Sequence, residues 1–156
     1  MPSGPIVVGY DGSPAADHAL AEAAALFGPR DVLVVVVWEA GAAYEAFEVS
    51  AIPAAPIDMG TAALVDEALY EGARHTADRG ARLAADLGFR AESMTVADHT
   101  SAAEALVRIS RERDAQAIVV GAHGRGRLEE IFLGSTSRHV LDHAPCPVLV
   151  VRGPGR

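Results

Sequence analysis

Ala117-Ile118-Val119-Val120-Gly121-Ala122-His123-Gly124, followed after nine residues by Gly134-Ser135-Thr136-Ser137, is the stretch that decides how this chain folds. Ala117 to Val120 is a short apolar run rich in β-branched side chains, the pattern of a strand buried on both faces. Two glycines stand at its exit, and a glycine with three hydroxyls then opens a helix. Glycine lets a backbone approach a ligand closely and adopt positive φ, and the free N–H groups at a helix start attract anions, with the helix dipole behind them. Either half alone reads as a glycine-rich turn or an ordinary serine N-cap. Together, in a strand-then-helix context, they point to a phosphate cradle.

Outward from this stretch the hydrophobic period alternates between strand and helix. Pro5-Ile6-Val7-Val8-Gly9-Tyr10 reads as a first strand, after which Ser13-Pro14 supplies an N-cap and a proline at the first helical position. Ala16, Ala19, Leu20, Ala23, Leu26 and Phe27 share one face of the helix that follows, and Gly28-Pro29 stops it. Val32-Leu33-Val34-Val35-Val36-Val37-Trp38 is a continuous apolar run suited to a strand covered on both sides. Glu39 to Met59 is rich in alanine, proline and acidic residues and reads as a long loop, mobile or functional. A long amphipathic helix then runs to Leu87, with Leu64, Ala68, Leu69, Ala73, Ala77, Gly80, Ala84 and Leu87 at helical spacing, and Gly88 ends it.

Arg90 to Val96 reads as a third strand, and Ser101-Ala102-Ala103-Glu104 is a capping box opening a third helix through Arg113, with Ala105, Leu106 and Ile109 on its apolar face. Gln116 to Gly121 is the fourth strand, Ser135 to His143 the fourth helix and Pro147 to Arg152 the fifth strand. Strands alternating with helices predict an α/β fold: a doubly wound five-stranded parallel sheet, order 3-2-1-4-5, with right-handed crossovers and helices on both faces. At 156 residues one domain over 1–156 is expected, with no internal repeat and no dividing linker.

Composition removes whole classes of function. All 13 basic residues are arginine, so a Walker A lysine, a protein-kinase strand lysine and a Schiff-base lysine for pyridoxal phosphate are all missing. Gly121-xxxx-Gly126-Arg127 echoes a P-loop only superficially, because arginine replaces the lysine and Leu128 stands where a Mg²⁺-binding hydroxyl belongs. A response regulator needs a lysine and an acidic pair after the first strand, and neither is present. The single Cys146 excludes an internal disulfide and a cysteine-rich zinc site; between Pro145 and Pro147 it reads as a small buried hydrophobe. A formal charge of -8 argues against nucleic acid or an anionic membrane as partner, so a phosphate ligand has to be held locally. No apolar run reaches the length of a bilayer span and Met1-Pro2-Ser3-Gly4 does not resemble a signal peptide, so a cytoplasmic protein is expected.

In a doubly wound sheet, ligands bind outside the carboxyl ends of the strands where the winding reverses, here between strands 1 and 4. Strand 1 ends in Gly9-Tyr10-Asp11-Gly12-Ser13 and strand 4 in Gly121, which sets a carboxylate opposite the cradle. The pattern G-x2-G-x9-G-S, the opening Ile6-Val7-Val8-Gly9-Tyr10-Asp11-Gly12-Ser13 and the ending Ala144-Pro145-Cys146-Pro147-Val148-Leu149-Val150-Val151 resemble the ATP-binding members of the universal stress protein family over essentially the whole chain. The resemblance implies that Asp11 contacts the base or ribose with the Gly9 backbone nearby, and that the Val37 backbone holds the adenine edge. It further implies that Val120, Gly121 and Gly124 line the ribose and phosphates, while Gly134, Ser135 and Thr136 bind the outer phosphates. Residue by residue the alternatives stay open: Asp11 as a cap of its turn, Val37 as a core residue first.

His123 and Arg125 sit inside the cradle loop and are candidates to reach phosphates, or belong to a solvated loop. Arg127 is similar, and Arg138 reads as a surface residue. His139 and His143 have the i, i+4 spacing of a metal pair beside Asp142, but no third ligand can be named, so no protein-held metal site is expected. Glu129-Glu130 offers a candidate base, yet no dedicated catalytic constellation emerges. The expected function is an ATP-binding regulatory module of the stress response, with Mg²⁺ or Mn²⁺ bridging the phosphates, slow or no hydrolysis, and an unidentified protein partner. The alternatives are a binder of AMP or a cyclic nucleotide and a genuine ATP hydrolase. The resemblance also implies a homodimer through the Pro147 to Arg152 strand, whose apolar edge needs covering.

Overall fold

The computed structural model describes residues 1–41, 59–122 and 133–153. Its strands are β1 (Ile6–Gly9), β2 (Asp31–Trp38), β3 (Arg90–Ala97), β4 (Ala117–Gly121) and β5 (Val148–Val151), all parallel, in the order β3-β2-β1-β4-β5. The described helices are α1 (Pro14–Phe27), α2 (Met59–Asp86), α3 (Ala102–Glu112) and α4 (Ser135–His143). This is the predicted α/β topology. Residues 42–58, most of the loop expected between Glu39 and Met59, lie outside the described set.

Alternation along the strands sends side chains to two separate cores. Ile6, Val8, Val32, Val34, Val36 and Val119 face α1 and the second half of α2, packing on Ala16, Ala19, Leu20, Ala23, Ala73, Ala77 and Ala84. Val7, Leu33, Val35, Ile118 and Val120 face α3 and α4, packing on Ala103, Leu106, Val107, Ile109 and Val140. Val32 to Val36 are each at most 6% exposed, which explains why β2 carries no polar residue in that run. Each such side chain removed from water contributes about 1.5–3 kcal/mol before the entropy of ordering it is counted. Small residues line the helices because α2 lies close on the sheet. A Cβ on Gly80 would come within 2.8 Å of the Tyr10 ring and 2.9 Å of Val34.

Local signals set the ends of these helices. Ser13 Oγ accepts from the Ala16 N–H at 3.1 Å, and Ser101 Oγ accepts from the Glu104 N–H at 3.1 Å. Gly28 closes α1 at φ 67° with its N–H donating to the Ala24 carbonyl, and Gly88 follows α2 at φ 99°. These positive values favour glycine at both helix ends.

Helical spacing misplaces four leucines. Leu26 is 64% exposed, Leu64 67%, and Leu69 and Leu87 are also exposed, as is Ala68, so the first half of α2 does not carry the predicted buried face. For Leu64, Ala68 and Leu69 the reason is the length of α2. The 28 residues of α2 extend about 42 Å, whereas an eight-residue strand such as β2 or β3 extends only about 26 Å, so the helix overhangs the sheet.

Candidate functional site

The winding reverses at β1 and β4, and the carboxyl ends of those strands open into a crevice of about 370 Å³, within the usual range for a small-molecule site. Gly9, Asp11, Val37, Val120, Gly121, Gly134, Ser135 and Thr136 all line it, so the structure gathers these sequence-predicted residues in one place. His123, Gly124 and Arg125 lie outside the described residues, as do Arg127, Glu129 and Glu130. Ser137, the third hydroxyl of the expected cradle, also lines it, and Tyr10, Ser13, Ala16, Val35, Ala102 and Leu106 complete the lining without having been read as site residues. The strand register would have added Val35, which pairs with Gly9 across β1 and β2. The α3 residues Ala102 and Leu106 reach the crevice from a different part of the chain, which no local pattern announces.

The crevice has an apolar slot and a polar end. Val35 and Val37 of β2, Val120 of β4 and Leu106 of α3 supply flat hydrocarbon surface. Gly9 keeps β1 open there: a Cβ on it would sit 2.8 Å from Leu106 and 3.3 Å from Val120. At the rim, Asp11 Oδ1 accepts from the Ser13 N–H at 2.9 Å, and Gly12 adopts φ 77°. The turn-capping role open to Asp11 is therefore present, and the same residue lines the crevice. Val37 is likewise a partly buried core residue that also borders the site.

The β4–α4 side is built differently. Ala122 donates to the Val151 carbonyl at 2.7 Å and accepts from the Gly134 N–H at 2.8 Å, so Ala122 and Gly134 meet at the strand exit. Gly134 is the N-cap of α4, with extended backbone at φ −60° and ψ 160° and no side chain to accept from the first-turn N–H groups. Ser135 is thus the first helical residue rather than the cap, which corrects the ordinary-cap alternative. Ser137 departs from the expectation of three hydroxyls facing a ligand. It is 2% exposed, and its Oγ donates to the Gly121 carbonyl at 2.8 Å, with the Ala122 carbonyl 3.3 Å away. Its hydroxyl locks α4 onto β4 and leaves Ser135 and Thr136 at the rim.

His139 and His143 stack with ring centroids 4.2 Å apart, and His143 Nδ1 lies 2.9 Å from the His139 carbonyl. Among the described residues no group of three His, Cys, Asp or Glu side chains could hold a metal ion. Cys146 is half-buried against the α3–α4 core, and burial pushes its thiol up, away from thiolate chemistry. Arg138 is exposed. Among the described residues no helix is long and apolar enough to cross a membrane.

The family model "Universal stress protein family" matches residues 3–152, and the chain belongs to that family. A universal stress protein of Mycolicibacterium smegmatis is 36% identical over 92 residues, 58% of this chain and 31% of that protein, so the match spans about a third of the relative's length. The solved structure of hypothetical protein MJ0577, from Methanocaldococcus jannaschii, superposes with a TM-score of 0.76 at 23% identity, covering 100% of both chains. A universal stress protein from Archaeoglobus fulgidus, solved in complex with dAMP, superposes with a TM-score of 0.59 at 26% identity, covering 97% of this chain and 99% of that one.

Proposed function

We propose that this chain binds ATP in the β1–β4 crevice and acts as a nucleotide-dependent regulatory module, hydrolysing slowly or not at all. The observation that carries this reading is the pairing, in one crevice, of an apolar slot with a helix N-terminus whose cap has no side chain. A purine fits the hydrocarbon between Val35, Val37, Val120 and Leu106, with the ribose toward Asp11. The phosphates then run toward Gly134, Ser135 and Thr136, where backbone N–H groups and the α4 dipole favour negative charge. His123, Gly124 and Arg125 belong to this proposal as further phosphate contacts. A divalent cation, Mg²⁺ or Mn²⁺, enters it held by the phosphates, since no protein cluster is assigned to it.

A second reading, binding of AMP or a cyclic nucleotide, draws support from the dAMP complex of the Archaeoglobus relative and from the commitment of the Ser137 hydroxyl to backbone carbonyls. Mass spectrometry of the nucleotide that co-purifies, followed by calorimetric titration with ATP, AMP and cyclic AMP, separates the two. The ATP reading expects a triphosphate in the purified protein and tightest binding for ATP. Turnover of about 1 per second or more would move the protein into the enzyme class.

The proposal includes a homodimer through β5. It is an edge strand, and Val148, Leu149 and Val150 remain half-buried on it, a surface that pairing with a second copy would cover. Light scattering should report a dimer at micromolar concentration, and Val150→Pro should disfavour it.

A further inference from the structure

The mouth of the crevice is gripped from behind by a residue far away in sequence. Arg79 of α2 donates through Nη2 to both carboxylate oxygens of Asp17 in α1, at 3.0 and 2.8 Å, and through Nη1 to the Gly12 carbonyl at 3.3 Å. Its guanidinium carbon stands 5.9 Å from the centroid of the Tyr10 ring. Tyr10 is buried, lines the crevice, and donates its hydroxyl to the same Asp17. Burial first, and then the Asp17 carboxylate, push the Tyr10 phenol well above its ordinary value, so it stays a donor. The neighbouring residue, Gly80, meets that ring with no room for a Cβ.

Arg79 and Asp17 are each about half or one-third exposed, and ion pairs of that exposure contribute little to global stability. What they do specify is geometry. One guanidinium ties together the Gly12 carbonyl, in the middle of the turn that presents Asp11 and Ser13, and the first turn of α1. We propose that Arg79 is a positioning residue for the nucleotide site, fixing the 11–13 turn through Gly12 and Asp17 and thereby coupling nucleotide occupancy to the seating of α2. This rests on the reading of the crevice as a nucleotide site. Because linkage is reciprocal, a ligand that needs the turn in place must also tighten α2 against it.

The test uses the full chain, with ATP and AMP as probes. Arg79→Gln should weaken both by about tenfold, the range of a typical coupling, with an unchanged ATP-to-AMP ratio because the turn lies away from the outer phosphates. Arg79→Lys should restore part of the loss, since it keeps the charge but not the fork. In an Asp11→Ala background the Arg79→Gln effect should shrink, as a double-mutant cycle requires of residues acting through one another. Hydrogen exchange supplies the readout that a purely structural arginine would not move: ATP should protect residues 73–84 in the unmodified protein and not in Arg79→Gln. Folded Arg79→Gln with unmodified affinity, additive effects with Asp11→Ala, or α2 exchange indifferent to bound ATP would each overturn the positioning role. Absence of binding of either nucleotide by the unmodified protein would instead overturn the nucleotide reading beneath it.

Discussion

Three helices begin at the rim of the same crevice, and the first turns of two of them, α1 and α4, are built in opposite ways. At α1, Ser13 Oγ accepts from the Ala16 N–H, Asp17 places an acid in the first turn, and Arg79 answers that acid. At α4, the cap is Gly134, no cap side chain accepts from the helix, and the first turn carries no acidic residue. The third helix start, at α3, resembles α1, with Ser101 bonded to the Glu104 N–H and Glu104 itself in the first turn. A capped, acid-bearing helix end satisfies its own N–H groups and repels anions. An end with a bare glycine cap leaves those groups to an outside acceptor, and this difference is what assigns the phosphate end of the proposed ligand to α4.

Making α4 resemble α1 is the harshest way to break that contrast. Gly134 already has the extended backbone of an N-cap, so Gly134→Asp should fold and should stabilise the protein by about 0.5–1 kcal/mol. The same carboxylate should reduce ATP affinity by about a hundredfold, roughly 3 kcal/mol. Thermal melts and calorimetry moving in opposite directions are the expected outcome; unchanged affinity would return α4 to a plain structural role. Ser135→Ala is gentler. It should cost ATP binding about 1.5–3 kcal/mol, the range for a hydrogen bond to a charged group, while costing AMP much less. Equal losses for the two nucleotides would put the outer phosphates elsewhere.

The capped ends should respond in stability rather than in phosphate discrimination. Ser13→Ala removes the cap of α1 and should cost about 1 kcal/mol of unfolding free energy, with the ratio of ATP to AMP affinity unchanged in parallel titrations. The smallest effect is expected just before α3. There the Asp98 carboxylate accepts from the Thr100 hydroxyl at 2.6 Å and the Thr100 N–H at 2.8 Å, bonds that hold it below the usual carboxylate range, with Arg108 adding to the effect. Because the folded protein favours ionised Asp98, its contribution is present above the unfolded carboxylate value of about 4 and is lost as pH falls through the lower folded one. Asp98→Asn should therefore flatten the acid side of the stability profile by a few tenths of a kcal/mol. An unaltered profile would show that the turn does not depend on the charge.

Much of this was readable from the sequence because it is encoded locally. The β-branched run of β2, the Ser13-Pro14 start of α1, the Ser101 cap of α3 and the glycine stops each act within a few residues, and alternating strand and helix periods leave few topologies. The overhang of α2 was not readable: Leu64 and Leu69 repeat at helical spacing, but spacing does not say how far the sheet beneath extends. Ser137 was miscast for a related reason. Its place in the motif suggests a donor for a ligand, and only the closeness of α4 to the end of β4 shows that the Gly121 carbonyl takes it. Arg79 was invisible, since its partners at Gly12 and Asp17 are 67 and 62 positions away.

The central claim, that adenine nucleotides sit in this crevice with their phosphates on α4, is tested most directly by following the backbone amides of isotope-labelled protein during titration with ATP and Mg²⁺. Saturable shifts are expected to be largest at Gly134, Ser135 and Thr136, with smaller ones at Gly9 and Asp11, and the Ala16 amide beneath the Ser13 cap little affected. Saturable binding that leaves Gly134 to Thr136 unmoved, or no binding at all, would contradict the claim.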